Sequence, residues 1–146
     1  MGGMASVFTN IINGELPGRF VYQDDKVVAF LSIEPIKMGH TLVVPRDEVD
    51  KWTDLPSDTW LHVARVSQLI GQAVCKAWDA PRAGEIIVGF DVPHTHIHVF
   101  PAWSKADYDF TQVQQNVPAA DMDAATQKIR DTLADLGINW EDGSAI

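Results

Sequence analysis

Residues 94–101 read His-Thr-His-Ile-His-Val-Phe-Pro, which sets His94, His96 and His98 at every second position. On a strand, each step of two covers roughly 6.6 to 6.8 Å and returns the side chain to the same face. The three imidazoles are therefore expected in a row on one side, with Thr95, Ile97 and Val99 on the other. That other side has the composition of a core face, so the strand has one apolar and one chemically active surface.

The flanking sequence supplies the rest of a sheet. "RFVYQ" and "KVVAFLSI" are rich in β-branched and aromatic residues and are separated by Asp24-Asp25, the pattern of a hairpin. "HTLVVP", residues 40–45, reads as a third strand closed by proline. "EIIVGF" and "THIHVF" read as two more, after the turn chemistry of "DAPRAG". Between the two groups the period changes to that of a helix: Leu61, Ala64, Val66, Leu69, Ile70, Ala73 and Val74 trace an apolar face, with Ser57 or Asp58 as its cap. Ser6 starts a short helix whose Phe8, Ile11 and Ile12 share a face and which stops at Gly14. Residues 121–136 predict a second, more exposed helix ended by Gly137, and residues 104–118 read as irregular. The expected fold is α+β: an antiparallel five-stranded sheet, one long helix packed on it, a short N-terminal helix and an extra C-terminal helix.

At 146 residues the chain suits one domain. Cys75 is its single cysteine, which excludes an intrachain disulfide and a thiolate cluster and fits a reducing cytoplasm. No apolar run reaches the ~18 residues of a membrane span, and the start lacks the features of a signal peptide. The expectation is a cytoplasmic protein with no membrane partner and a flexible tail over residues 1–5. With 20 acidic against 11 basic residues, the net charge of −9 argues against a nucleic-acid partner. A small anionic ligand remains compatible if local N–H groups and imidazoles hold it.

Three readings of the histidines compete. They are structural residues of a half-exposed strand; or two of them share a metal ion, with Asp91 or His40 as the nearest further ligand; or one is a nucleophile. A neutral imidazole nitrogen attacks phosphorus when its other nitrogen is fixed by a hydrogen-bond acceptor, and the product is a covalent intermediate that water resolves. Of the three, His96 alone has a neighbour on each side, which favours it as the nucleophile.

"HTHIHVF", together with "VFTNIINGELPGRFVYQDDKVVAFLSIEPIKMGHTLVVPR", resembles the histidine-triad (HIT) superfamily of nucleotide hydrolases and transferases, in its nucleotide-binding-protein branch. The resemblance covers residues 6–103 and implies a HIT-like domain there, followed by a C-terminal extension over residues 104–146. It further implies a homodimer acting at the α-phosphate of a nucleotide, with a nucleoside phosphoramidate or a dinucleoside polyphosphate as substrate. By resemblance His96 carries the nucleotidyl group, His98 polarises phosphate oxygens, and His94 and His40 complete a hydrogen-bonded histidine cluster. Phe8, Ile11, Phe30, Ser32 and Ile33 correspond to the base and ribose pocket, and Gly89 and Asp91 to the loop beside the phosphate. A non-catalytic nucleotide-binding regulator on the same fold is the alternative.

The chain departs from the family pattern at three places. Ser6, Thr9 and Glu48 stand where many relatives place two cysteines and a histidine that bind structural zinc with the first triad histidine; no metal and no cofactor is expected. Ser32 replaces an aspartate that grips ribose hydroxyls, and a serine cannot clamp two hydroxyls as a carboxylate does. In the loop before the triad, Phe90 replaces a glutamine and Asp91 a hydroxyl residue. Asp91 repels phosphate unless it is protonated, faces a cationic leaving group, or pairs with a histidine and raises that histidine's pKa.

Overall fold

Every residue of two adjacent strands, β2 (Val27–Leu31) and β3 (Thr41–Pro45), is buried, so this part of the sheet is covered on both faces. The computed structural model describes residues 5–146. Its sheet has five strands in the order β1-β2-β3-β5-β4, every neighbouring pair antiparallel, with β1 at Phe20–Gln23, β4 at Arg82–Ile86 and β5 at Ile97–Ala102. Residues 1–4, most of the predicted tail, lie outside the described residues.

Alternation along the strands divides the core in two. Val27, Ala29 and Leu31 of β2, Val43 of β3 and Ile97 and Val99 of β5 point to the large cluster, which also takes Val63, Val66, Ile70 and Val74 of the long helix α2 (Ser57–Trp78). Val28, Phe30, Leu42 and Val44 point to the opposite face and pack with Phe8 of α1 (Val7–Ile12). Cross-strand register then aligns Phe30 with Leu42, Leu42 with His98, and His98 with Ile86. Residues opposite one another share a face, so His98 belongs to the lightly covered side.

Four local expectations are corrected. Leu61 is 67% exposed, because nine residues at 100° each place it about 180° from the buried Ile70. Neither Ser57 nor Asp58 caps α2: Pro56 holds that position without a side-chain bond. The fourth strand begins at Arg82, inside the segment read as a turn. Gly84 belongs there because a Cβ on it would run into the rings of Phe100 and Tyr108, a close approach that suits glycine in a strand. The fifth strand begins at Ile97, so His94 and His96 precede its ladder. Thr95 is held by Val49 instead, through backbone and hydroxyl bonds of 2.7 and 2.8 Å to the same carbonyl.

The C-terminal helix α3 (Ala119–Asp135) is more deeply engaged than its polar composition suggests. Met122, Ala125, Ile129 and Leu133 form a stripe at spacings of three and four that joins the same cluster as α2. Arg130 ties it to β1 through bonds to the Phe20 carbonyl and lies over the Trp140 ring at 3.6 Å. Among the described residues, no helix is long and apolar enough to cross a membrane.

Truncating fully buried Ile129 to alanine should destabilise the protein by about 2–5 kcal/mol in urea unfolding, comparable to Ile70→Ala. A loss below about 0.5 kcal/mol, the range of surface substitutions, would show that α3 is not part of the core.

Candidate active site

A cavity of about 490 Å³ opens on the lightly covered face, where His40, His96 and His98 meet Phe8, Ser32 and Ile33. A second, also about 490 Å³, shares Phe8, Ser32, Ile33 and Leu42 with it and adds Ile11 and Phe30. Gly89 and Asp91 line the first cavity. Ten of the eleven candidate residues are thus gathered around one continuous depression. The exception is His94, which is fully buried and lies behind Phe8, with ring centroids 6.0 Å apart. The expected row of three imidazoles therefore becomes a pair, His96 and His98, with ring centroids 4.9 Å apart.

The hydrogen bonds assign the proton on every ring of the site. The Ile36 N–H donates to His40 Nδ1 at 2.9 Å, so the His40 proton sits on Nε2. That atom is 2.9 Å from His98 Nδ1 and donates to it, which leaves His98 with its proton on Nε2. His96 Nδ1 is 2.7 Å from the His94 carbonyl oxygen and must donate, so its Nε2 carries the lone pair. His94 Nε2 is 2.7 Å from the Pro45 carbonyl and donates there, leaving Nδ1 to accept from Ser6 Oγ at 2.8 Å. The anticipated four-histidine cluster is thus two separate devices: a His40–His98 side-chain pair, and a His94 backbone carbonyl that orients His96.

Burial keeps these rings neutral. Desolvation pushes His40 down to about 3 and His98 down to about 4, with the neighbouring imidazoles adding to the effect. It also lowers His96 and His94 below the usual histidine value. Asp91 opposes the shift at His96 but is outweighed by burial. At neutral pH the cavity accordingly offers one unprotonated nitrogen, His96 Nε2, beside one N–H donor, His98 Nε2.

The surrounding residues are unequal. Ile33 stands at the rim, 77% exposed. Ser32 Oγ accepts from the Glu34 N–H at 3.3 Å and so stabilises the local turn. Phe90, in the glutamine position, is 92% exposed and lines not this cavity but a neighbouring one of about 450 Å³, to which Gly89 and His96 also contribute. Phe110 was not foreseen: it packs edge-on against His98 at 4.8 Å and lines the cavity with Val113. It lies on a segment with no periodicity, and only a chain reversal after β5 brings it back.

Ser6, Thr9, Glu48 and His94 do come together. Glu48 Oε1 accepts from Ser6 N at 2.6 Å and from Thr9 Oγ1 at 2.7 Å, but stands 4.0 Å from His94 Nδ1, whose closer partner is Ser6 Oγ. Two hydroxyls, one carboxylate and an imidazole already bonded at both nitrogens do not fit a tetrahedral zinc site. Among the described residues, no group of three or more histidine, cysteine or acidic side chains is arranged to hold a metal.

Similarity to known proteins agrees with this arrangement. The HIT domain family pattern matches residues 13–104. An uncharacterised HIT-like protein of Saccharolobus solfataricus is 35% identical over 109 residues, covering 68% of this chain and 75% of that one. An adenylylsulfatase of Arabidopsis thaliana is 29% identical over 100 residues, 65% of this chain and 51% of the relative. Among solved structures, a zinc-bound histidine triad family protein from Mycobacterium smegmatis superimposes with a TM-score of 0.79 at 28% identity, over 92% of this chain and 97% of that one. Sheet order, histidine geometry and sequence likeness converge on one conclusion: the chain belongs to the HIT domain family.

Proposed function

We propose that this protein is a nucleotide hydrolase or nucleotidyl transferase that works through a nucleotidyl-His96 intermediate. The observation that carries the reading is the hydrogen-bond pattern that leaves a lone pair on His96 Nε2 and an N–H on His98 Nε2, facing one cavity. His96 Nε2 attacks the α-phosphorus, the N–P bond forms, and the bond from phosphorus to the leaving group breaks with its electron pair going to the leaving group, which takes up a proton from solvent. His98 donates a hydrogen bond to a phosphoryl oxygen as charge builds there. The His94 carbonyl stabilises the positive charge that the attack leaves on the His96 ring, which keeps its Nδ1 proton. Water or another acceptor then attacks the phosphorus and gives up its proton to solvent, the N–P bond breaks with its electron pair returning to Nε2, and the nucleoside monophosphate or a new ester is released.

The nucleotide fits the two joined cavities as a phosphate at the histidines and a base against Phe8, Ile11, Phe30 and Ile33, which offer apolar faces. The substrate is a nucleoside phosphoramidate or a dinucleoside polyphosphate. A homodimer is part of this proposal: among the described residues β4 pairs with β5 on one edge alone, so its other edge offers a second copy a ladder to extend. The single free cysteine, half-buried, suits a reducing cytoplasm.

Mixing the protein with a nucleoside phosphoramidate, quenching in acid-free denaturant and weighing the intact chain should reveal one added nucleotidyl group. His96→Ala should remove the adduct and lower turnover by about 10³-fold or more. A native chain that forms no adduct and turns over neither substrate class would refute the proposal. An H96A variant that retains nucleotide binding and cellular effect, beside an inert native protein, would favour the regulator reading.

The pH dependence has a definite sign. The neutral form of His96 is the nucleophile, and its pKa lies below the usual value of 6.5; activity should therefore be flat above pH 6.5 and fall only on acidification below it. A half-maximal point above pH 7 would contradict the burial argument. Stability follows the same direction. In the unfolded chain His40 and His98 take up protons near 6.5, but in the folded chain only near 3 and 4. Their contribution is complete above pH 6.5 and is lost as pH falls from there toward 4 and 3. The urea midpoint of His98→Gln should accordingly fall less steeply between pH 7 and pH 5 than that of the native protein.

A further inference from the structure

Resting on the function proposed above, we propose that Glu48 is a positioning residue for the nucleophile: its carboxylate clasps the start of α1 to His94 and thereby sets the orientation and tautomer of His96. Every link in this chain is short. The Ser6 N–H and the Thr9 hydroxyl donate to Glu48 Oε1 at 2.6 and 2.7 Å. The Ser6 hydroxyl donates to His94 Nδ1 at 2.8 Å, His94 Nε2–H donates to the Pro45 carbonyl at 2.7 Å, and His96 Nδ1–H donates to the His94 carbonyl at 2.7 Å. Both nitrogens of the His94 ring are pinned, and the Thr95 N–H, in the same peptide plane as the His94 carbonyl, donates to the carbonyl of Val49, the residue after Glu48, at 2.7 Å, so ring and carbonyl are both anchored to the Glu48 segment.

The clasp also has a mechanical need to meet. Helix α1 has only six residues, too few to be stable alone. Among the described residues, its cap and first turn make their long-range hydrogen bonds through Ser6 and Thr9, to Glu48 and His94. Between those two residues sits Phe8, whose ring meets His96 edge-on at 4.8 Å. Holding Ser6 and Thr9 therefore holds the wall of the cavity against the nucleophile. Hydrogen bonding to Ser6 and Thr9 keeps the Glu48 carboxylate below its usual pKa, so it stays an acceptor for both donors. Hydrogen bonds thus occupy the positions that the resemblance to zinc-binding relatives would have given to a metal.

Glu48 is partly exposed, and water can replace its oxygen, so its loss should blur the geometry rather than abolish the fold. Three variants test this: Glu48→Ala, Glu48→Gln, whose amide oxygen can accept both bonds, and Thr9→Ala, which removes one donor. Long-range ¹H–¹⁵N spectra of the imidazoles should show a single tautomer at His94 and at His96 in the native protein and in E48Q, and mixed tautomers in E48A. With a nucleoside phosphoramidate, E48A should lower kcat about 10-fold with KM within about twofold, T9A should lower it about threefold, and E48Q should stay near native. Native kcat and native imidazole spectra in E48A, whatever its melting temperature, would overturn the proposal. Should the native protein prove inactive, the proposed function fails, while the spectra alone still decide the role of Glu48.

Discussion

A strand buried at every residue has to be covered twice, and the way β2 and β3 meet that demand shapes the rest of the molecule. On one face α2 and α3 supply two helices whose stripes of Val63, Val66, Ile70, Ile129 and Leu133 close over Val27, Ala29 and Val43. On the other face the cover is short: α1, six residues long, reaches Val28, Phe30, Leu42 and Val44 through Phe8. What α1 leaves open becomes the cavity. Its floor is Leu42 and His98, held side by side by the β3–β5 register, and its far wall is Phe110 and Val113 from the C-terminal segment.

Within that cavity, binding an anion depends on neutral groups. The chain carries a net charge of −9, and burial denies a proton to the imidazoles at neutral pH. What the cavity offers at neutral pH is directed N–H groups and not a positive field. Direction matters more than charge under those conditions, because a neutral imidazole is useful only when the correct nitrogen bears the proton. Two backbone groups make that choice. The Ile36 N–H decides it for His40 and so for His98; the His94 carbonyl decides it for His96.

Much of this was legible in the residues. The hairpin about Asp24-Asp25, the β3 strand ending at Pro45 and the long helix follow from β-branched runs, turn residues and the change from period two to 3.6. The errors have physical causes. Gly84 looked like turn chemistry because the ring it accommodates, Phe100, lies on another strand. Leu61 is apolar like its neighbours on α2, but its angular position takes it off the buried face. The helix α3 looked exposed because its apolar stripe is narrow and partly made of alanine and threonine. Phe110 carried no signal at all, since its value to the site arises from a contact with His98 that no local pattern encodes.

The sequence by itself determined that residues 94–98 present alternate histidines, that an apolar face backs them, and that Ser6, Thr9 and Glu48 depart from a metal-binding set. Those are matters of residue type and local periodicity, which a chain carries without folding. Only the tertiary structure decided that His94 turns away to Ser6 while His96 and His98 face the cavity, and which nitrogen of each ring holds the proton. It also brought Glu48 to the start of α1, 42 residues away in the chain. The reason is that tautomer and orientation are set by the second partner of each imidazole, and those partners, Ile36, Pro45 and Ser6, are assembled by strand register and loop closure.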